Sequence, residues 1–339
     1  MKTPILLVAT IAAATAQTVV LETPEAKLGI MLQGGAITDF QLKGLALNPL
    51  TWGEAGPAGQ LRGHFLCLDR WGAPSDAEKA NGVPFHGEAP RVLWTRDSAN
   101  ATETKMHARL PMAGLRVSRT AELHGAVAKI TETVTNENKL GRVYNWVQHP
   151  SIAPPFLDAT TIVDANARQG FMQSSPMPNP EHPSVVWPQA LKDGSPVNMR
   201  MLTDDPNPNV VSYVVDQEWG WTTAATPGKG LLIGYLWKTA EYPWFNAWRH
   251  TEQGKPAARG LEFGTTGLHQ PYPVLVKKGR IFGRPLYDFL DTGESSTKTF
   301  WMFLARVPAG FEGVSSVRMA GGDIVVTGRD GKEIRVSGR

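Results

Sequence analysis

A single cysteine occurs among the 339 residues, so an internal disulfide is excluded, as are cysteine-rich zinc and iron–sulfur sites. Cys67 lies in the apolar run Phe65-Leu66-Cys67-Leu68, which suits a small buried hydrophobe. Net charge is scarce too. A formal +3 gives no electrostatic footprint for nucleic acid or for an anionic membrane surface. The phosphate-cradling G-x-x-x-x-G-K-[ST] loop, the G-x-S-x-G elbow and the H-E-x-x-H zinc motif are all missing. His86-Gly87-Glu88 has the H-x-E form of a zinc deaminase, but its P-C-x-x-C partner cannot exist with one cysteine. Helical periodicity is nearly absent. Ser75-Asp76-Ala77-Glu78 forms a capping box, yet Asn81-Gly82 stops any helix after a turn or two.

What the chain does hold is turn residues and aromatic rings: 34 Gly, 26 Pro and 11 Trp, a profile of many short strands joined by loops. Alternation supports this. In residues 127–136, Ala128, Ile130 and Val134 fall on one face, with Lys129, Thr131, Thr133 and Thr135 on the other. In residues 142–149 the same rule sets Val143, Asn145, Val147 and His149 against Tyr144 and Trp146, with the strand ending at His149-Pro150. Residues 231–236 and 299–304 are continuous apolar runs, suited to strands covered on both faces. Residues 323–327 and 333–337 flank Asp330-Gly331 and predict a terminal hairpin. The fold class is therefore all-β.

The N-terminus reads as an export signal rather than as part of the fold. Lys2 precedes an apolar run over residues 5–14, and Ala14-Thr15-Ala16 is an A-x-A cleavage signal that leaves Gln17 first. That run is too short to span a bilayer, which takes ~20 residues. No cysteine stands at Gln17 to carry a lipid, so no stable membrane anchor is expected. The expectation is a secreted or periplasmic protein whose residues 17–339 form a single domain. Residues 150–210, rich in proline but carrying Phe156, Phe171 and Trp187, read as long ordered loops, where binding groups tend to sit.

Three local sequences have the residue types for chemistry. Pro84-Phe85-His86-Gly87-Glu88-Ala89-Pro90 holds a histidine next to a glycine that allows close backbone approach to a ligand. Asn145-Trp146-Val147-Gln148-His149-Pro150 sets a second histidine at a strand rim. Leu261-Glu262-Phe263 holds a carboxylate between large apolar residues, and such an acid is either paired or functional. Taken singly, each histidine reads equally as a structural residue and Glu262 as one end of a salt bridge. His64, Asp69 and His86 are metal-ligand types without diagnostic spacing, and no metal is expected.

The order of these segments resembles that of the aldose 1-epimerases, the galactose mutarotase-like superfamily. Residues 28–49, with Gly34-Gly35-Ala36-Ile37, look like the superfamily's opening Gly-Gly-x-Ile segment, and residues 85–94 (FHGEAPRVLW) are similar to its first-histidine segment. His149 matches the second histidine, Glu262 the late glutamate and Arg70 the upstream sugar-binding arginine. The resemblance covers nearly all of residues 17–339. It implies a β-supersandwich of large antiparallel sheets and a monosaccharide or other sugar-containing ligand. It also implies cofactor-free interconversion of anomers, with Glu262 as base and His149 as acid while His86 and Arg70 hold sugar oxygens. Trp244 and Trp248 are candidate platforms for sugar rings, whereas Trp146 reads as core.

This chain departs from the family pattern in two places. Pro150-Ser151-Ile152 follows His149 where an aromatic-Asn-Leu run is usual, and only Asp205 and Asp216 stand in for the sugar-binding aspartate. Two other readings remain. One is a carbohydrate-binding protein without catalysis. The other is a relative of the glycoside hydrolases or polysaccharide lyases. Hydrolysis needs a carboxylate partner for Glu262, for which Asp205, Asp216 and Glu241 are candidates. A lyase usually carries a helical domain, for which the chain has no room. The sequence sets no oligomeric state.

Overall fold

The computed structural model describes residues 18–54 and 61–338. The export pattern from Lys2 to Gln17 lies outside these residues. Two large antiparallel sheets dominate, one of eleven strands and one of eight, and the main hydrophobic core lies between them. The centre of the larger sheet runs Ile37–Leu42, His64–Asp69, Arg142–Ile152, Lys255–Gly264, Trp244–Glu252 and Val210–Val215. In the smaller sheet Leu231–Lys238 and Ser295–Arg306 are neighbours, and Ser295–Arg306 pairs with Val127–Asn136. The terminal hairpin forms as expected from Asp323–Gly328 and Glu333–Val336, joined by Val314–Ala320 in a small third sheet.

The alternation in Val127–Asn136 holds, with Ala128, Ile130 and Val134 on the core face. Glu132 shares that face and is fully buried, a placement that a carboxylate tolerates only when paired. Arg119 supplies the pair, with Nε and Nη2 each 2.7 Å from Oε1, while Gln148 Nε2 (2.6 Å) and Trp146 Nε1 (3.1 Å) donate to Oε2. Arg119 also donates to the Gly35 carbonyl and lies over the Trp94 ring. The Gly34-Gly35 turn is thereby tied to the loop that carries His86. Both glycines are required here. Gly35 has φ +62°, and a Cβ on it would sit 2.5 Å from the Trp94 indole.

Arg142–Ile152 obeys the expected alternation, with Tyr144 and Trp146 in the main core and Val147 on the opposite face. The strand does not end at His149-Pro150, however, but continues to Ile152. Its ladder to Lys255–Gly264 pairs Ser151 with Gly260 and Gln148 with Phe263, and skips the two positions between. Pro150, which has no N–H to give, occupies one of them. Residues 150–210 are likewise more regular than expected, because Ile162–Ala165 joins the smaller sheet and Ala167–Met172 the larger.

The capping box caps the short helix Asp76–Ala80 as read. A second helix, Tyr272–Lys278, was not expected, since seven residues are too few to establish a period. Among the described residues no helix is long and apolar enough to cross a membrane.

Candidate functional site

The outer face of the larger sheet carries the chemistry. Cross-strand register places Phe65 opposite His149 and Asn246 opposite Glu262. The offset of the Arg142–Ile152 and Lys255–Gly264 pairs sets His149 opposite Glu262 as well, at one of the two skipped positions. Side chains in such a row share a face of the sheet and approach one another closely. His149 Nε2 lies 3.2 Å from Glu262 Oε1, and the His149 ring stacks on Phe65 with centroids 4.2 Å apart. His149 Nδ1 is 3.0 Å from Ser151 Oγ. The other oxygen of Glu262 accepts the Trp71 indole N–H at 2.7 Å. Gly260 leaves room for this carboxyl, because a Cβ there would come within 2.8 Å of Oε1.

Burial sets the electrostatics. Glu262 is 2% exposed, and desolvation pushes its carboxyl up to about 8, against which the Trp71 hydrogen bond works. Desolvation pulls the His149 imidazole down to about 3. Burial therefore favours the neutral form of both groups, a protonated carboxyl beside a neutral imidazole.

His86 reaches the same face from its loop, with its ring centroid 5.1 Å from that of His149. Its backbone is left-handed, with φ 64°. The adjacent Gly87 does allow a close approach, but to protein rather than to a ligand: a Cβ there would meet the Leu68 carbonyl oxygen at 2.1 Å. Nδ1 of His86 accepts the Gly72 N–H at 3.1 Å and lies 3.2 Å from Cys67 Sγ. Accepting at Nδ1 puts the ring proton on Nε2, so neutral His86 presents a donor on its free edge. Desolvation holds its protonated form well below the ordinary range. Cys67 is buried as expected.

These groups line one cavity of about 440 Å³, with Glu262, His149 and His86 joined by His269, Gln173 and the rings of Trp52 and Trp248. Several of the residues singled out in the sequence are not part of it. Arg70 spends its guanidinium on the Ala73 and Gln270 carbonyls and lies 3.7 Å from Glu78, so it braces the loops around the cavity instead of facing a sugar. Trp244 is fully buried, with its indole donating to the Pro285 carbonyl and its ring covered by Gly267. Trp248 alone of that pair reaches the cavity. Asp205 and Asp216 pair with Lys192 and Arg168 at the surface, and Glu241 accepts the Thr299 N–H, so none of them partners Glu262. Asp69 is bound to Arg142 and Tyr272, and the buried His64 hydrogen-bonds Gln148.

Sequence reasoning missed Trp71, Trp52, His269, Gln173 and Glu54. Trp71 stands one place after Arg70, with no signal of its own beyond that adjacency. His269 had no signal beyond its type, yet its Nε2 is buried with no hydrogen-bond partner in a ring that lines the cavity. Its protonated form is suppressed by burial and by Arg70, to about 3.

No protein-family model matches the chain, and no curated protein matches it in sequence. Solved structures do match. A galactose mutarotase related enzyme from Lactobacillus acidophilus aligns over 86% of this chain and 98% of its own, with 12% identity and a TM-score of 0.65. A galactose mutarotase-like protein from Lactobacillus casei aligns over 85% and 100%, with 14% identity and a TM-score of 0.64. A third, galactose mutarotase-like, from Clostridium acetobutylicum aligns over 86% and 95%, with 12% identity and a TM-score of 0.64. At these identities the likeness is one of architecture, and with its large antiparallel sheets this chain has the galactose mutarotase-like fold.

Proposed function

We propose that the protein is an aldose 1-epimerase-like enzyme that interconverts sugar anomers by acid–base ring opening. The observation that carries this reading is the Glu262–His149 pair, 3.2 Å apart on the floor of a cavity walled by Trp52 and Trp248. Anomer exchange needs one group to take a proton and another to give one. A pair holding a single proton meets that need in either direction.

Transfer of the shared proton from Glu262 to His149 gives a carboxylate and an imidazolium. The carboxylate takes the proton of the anomeric hydroxyl while the imidazolium protonates the ring oxygen. The bond between C1 and the ring oxygen then breaks to leave the open-chain aldehyde. The pair is returned to its neutral form, the one that burial favours. Rotation about C1–C2 and the reverse proton transfers close the ring as the other anomer. Trp71 holds one carboxyl oxygen of Glu262 and so leaves the other for the exchange. His86, a neutral donor through Nε2, holds a sugar oxygen, and Trp248 lies beneath an apolar sugar face. The reading includes export, on the strength of the pattern from Lys2 to Ala16.

The test is polarimetry of freshly dissolved α-glucose and α-galactose. The protein should speed the approach to anomeric equilibrium, and Glu262→Gln should abolish the effect. If sugars bind without acceleration, the protein is a carbohydrate-binding module and the catalytic reading fails. Glu54 supports a second reading, because it is another carboxylate on the same cavity, as hydrolysis would require. Release of a reducing end from a glycoside would decide for it.

A further inference from the structure

A second cavity, of about 480 Å³, shares a wall with the first. Trp52 lines both, so its indole stands at their junction. The aromatic surface also continues across that junction. Trp248 borders the first cavity and His250 the second, two residues apart on the strand Trp244–Glu252. Their rings are stacked at 6.0 Å and within 9° of parallel, while Trp248 meets Trp52 edge-on at 5.4 Å. A β-bulge falls between His250 and Thr251, the kind of irregularity that re-aims a side chain beside a site.

The rest of the second cavity is mixed, with Ala153, Pro154 and Pro256 beside polar groups. Thr51 borders it, as do Glu252 and Lys255 from the hairpin that joins the Trp248 strand to the Glu262 strand. Aromatic rings flanked by short-range donors and acceptors suit a second sugar ring, which offers an apolar face and hydroxyl edges. A carboxylate and an ammonium together on the rim give no preference for a charged ligand. The cavity is lined by the same two strands that hold Glu262 and Trp248, so its distance from the reacting carbon is fixed by the sheet.

We propose that the second cavity is a subsite for a second sugar residue, and that the preferred substrate is a reducing disaccharide or longer oligosaccharide. This inference rests on the anomer-exchange reading. The terminal reducing unit occupies the cavity of Glu262 and His149, and the adjoining unit passes Trp52 to lie against His250.

The experiment compares anomer exchange of glucose and galactose with that of maltose, cellobiose and lactose, using the intact protein, its His250→Ala variant and its Lys255→Ala variant. At least one disaccharide should exceed its monosaccharide in kcat/KM by about tenfold, which corresponds to ~1.4 kcal/mol of added binding. His250→Ala should reduce that ratio about fivefold, and Lys255→Ala, at the rim, should reduce it less. Equal kcat/KM for every disaccharide and its monosaccharide would overturn the subsite while leaving anomer exchange intact.

Failure of the underlying reading looks different, because then no sugar is accelerated. Binding followed by tryptophan fluorescence still judges the subsite in that case. Tighter binding of a disaccharide that is weakened by His250→Ala supports it, and equal binding of both sizes overturns it.

Discussion

His149 and Glu262 stand opposite each other on neighbouring antiparallel strands, and Nε2 of one lies 3.2 Å from Oε1 of the other. Their separation in the chain is large, yet one ladder offset is enough to fix the pair. The ladder omits backbone pairing at this point, with Pro150 beside it, so the contact between the two strands passes through side chains.

Glu262→Gln is expected to keep the fold, because an amide oxygen can still accept from Trp71 and the shape is unchanged. Its stability should differ from wild type in a pH-dependent way. The folded carboxyl titrates near 8 against an ordinary 4.5, so its contribution is full below 4.5 and is lost as pH rises through 8. The amide has no such loss. Denaturant unfolding between pH 5 and 9 should therefore show the variant gaining on wild type as pH rises, and parallel curves would contradict the buried neutral carboxyl.

Anomer exchange should depend on the shared proton. Above about 8 the pair loses it and no acid remains, so the rate should fall along an alkaline limb. Trp71→Phe removes a hydrogen bond that lowers the Glu262 value, and should move that limb to higher pH. A pH–rate profile of the two proteins checks the sign, and a shift to lower pH would exclude Trp71 as the partner that matters.

Arg119→Met should be strongly destabilising. It strands Glu132, which is fully buried, and breaking one side of a buried pair costs about 3–5 kcal/mol. Replacing both residues with apolar groups should recover only part of this loss, because Gln148 and Trp146 then lose the Glu132 acceptor of their N–H groups. Thermal unfolding of the single and double variants measures the difference. The single variant should also loosen the Gly34-Gly35 turn, since Arg119 donates to the Gly35 carbonyl.

Export makes a simple expectation for the mature chain. When the full sequence is produced in a bacterium that recognises the signal, the protein outside the cytoplasm should begin at Gln17. Edman sequencing or intact mass reads this directly. A product that keeps Met1 and stays in the cytoplasm would remove export from the proposal.

The all-β class was legible in the sequence because alternation and turn chemistry are local. Ala128, Ile130 and Val134 declare a buried face within one strand, and Asp330-Gly331 declares a hairpin, without reference to any distant residue. The resemblance also selected His86, His149 and Glu262, three residues that face one cavity.

Tertiary structure decided what each polar group is free to do. Arg70 and Trp71 are adjacent in sequence, yet one guanidinium is consumed by backbone carbonyls while the next side chain holds the central carboxylate. Trp244 and Trp248 differ in the same way, one sealed beneath Gly267 and the other open to the cavity. His269 and Trp52 come from loops that share no pattern with the rest of the site. Hydrogen-bond partners and burial arise from contacts far apart in sequence, so neither a period nor a motif can reveal them. Local pattern determined which surfaces are buried, and the packing of the larger sheet with its loops determined that a carboxyl and an imidazole meet at 3.2 Å in one buried site.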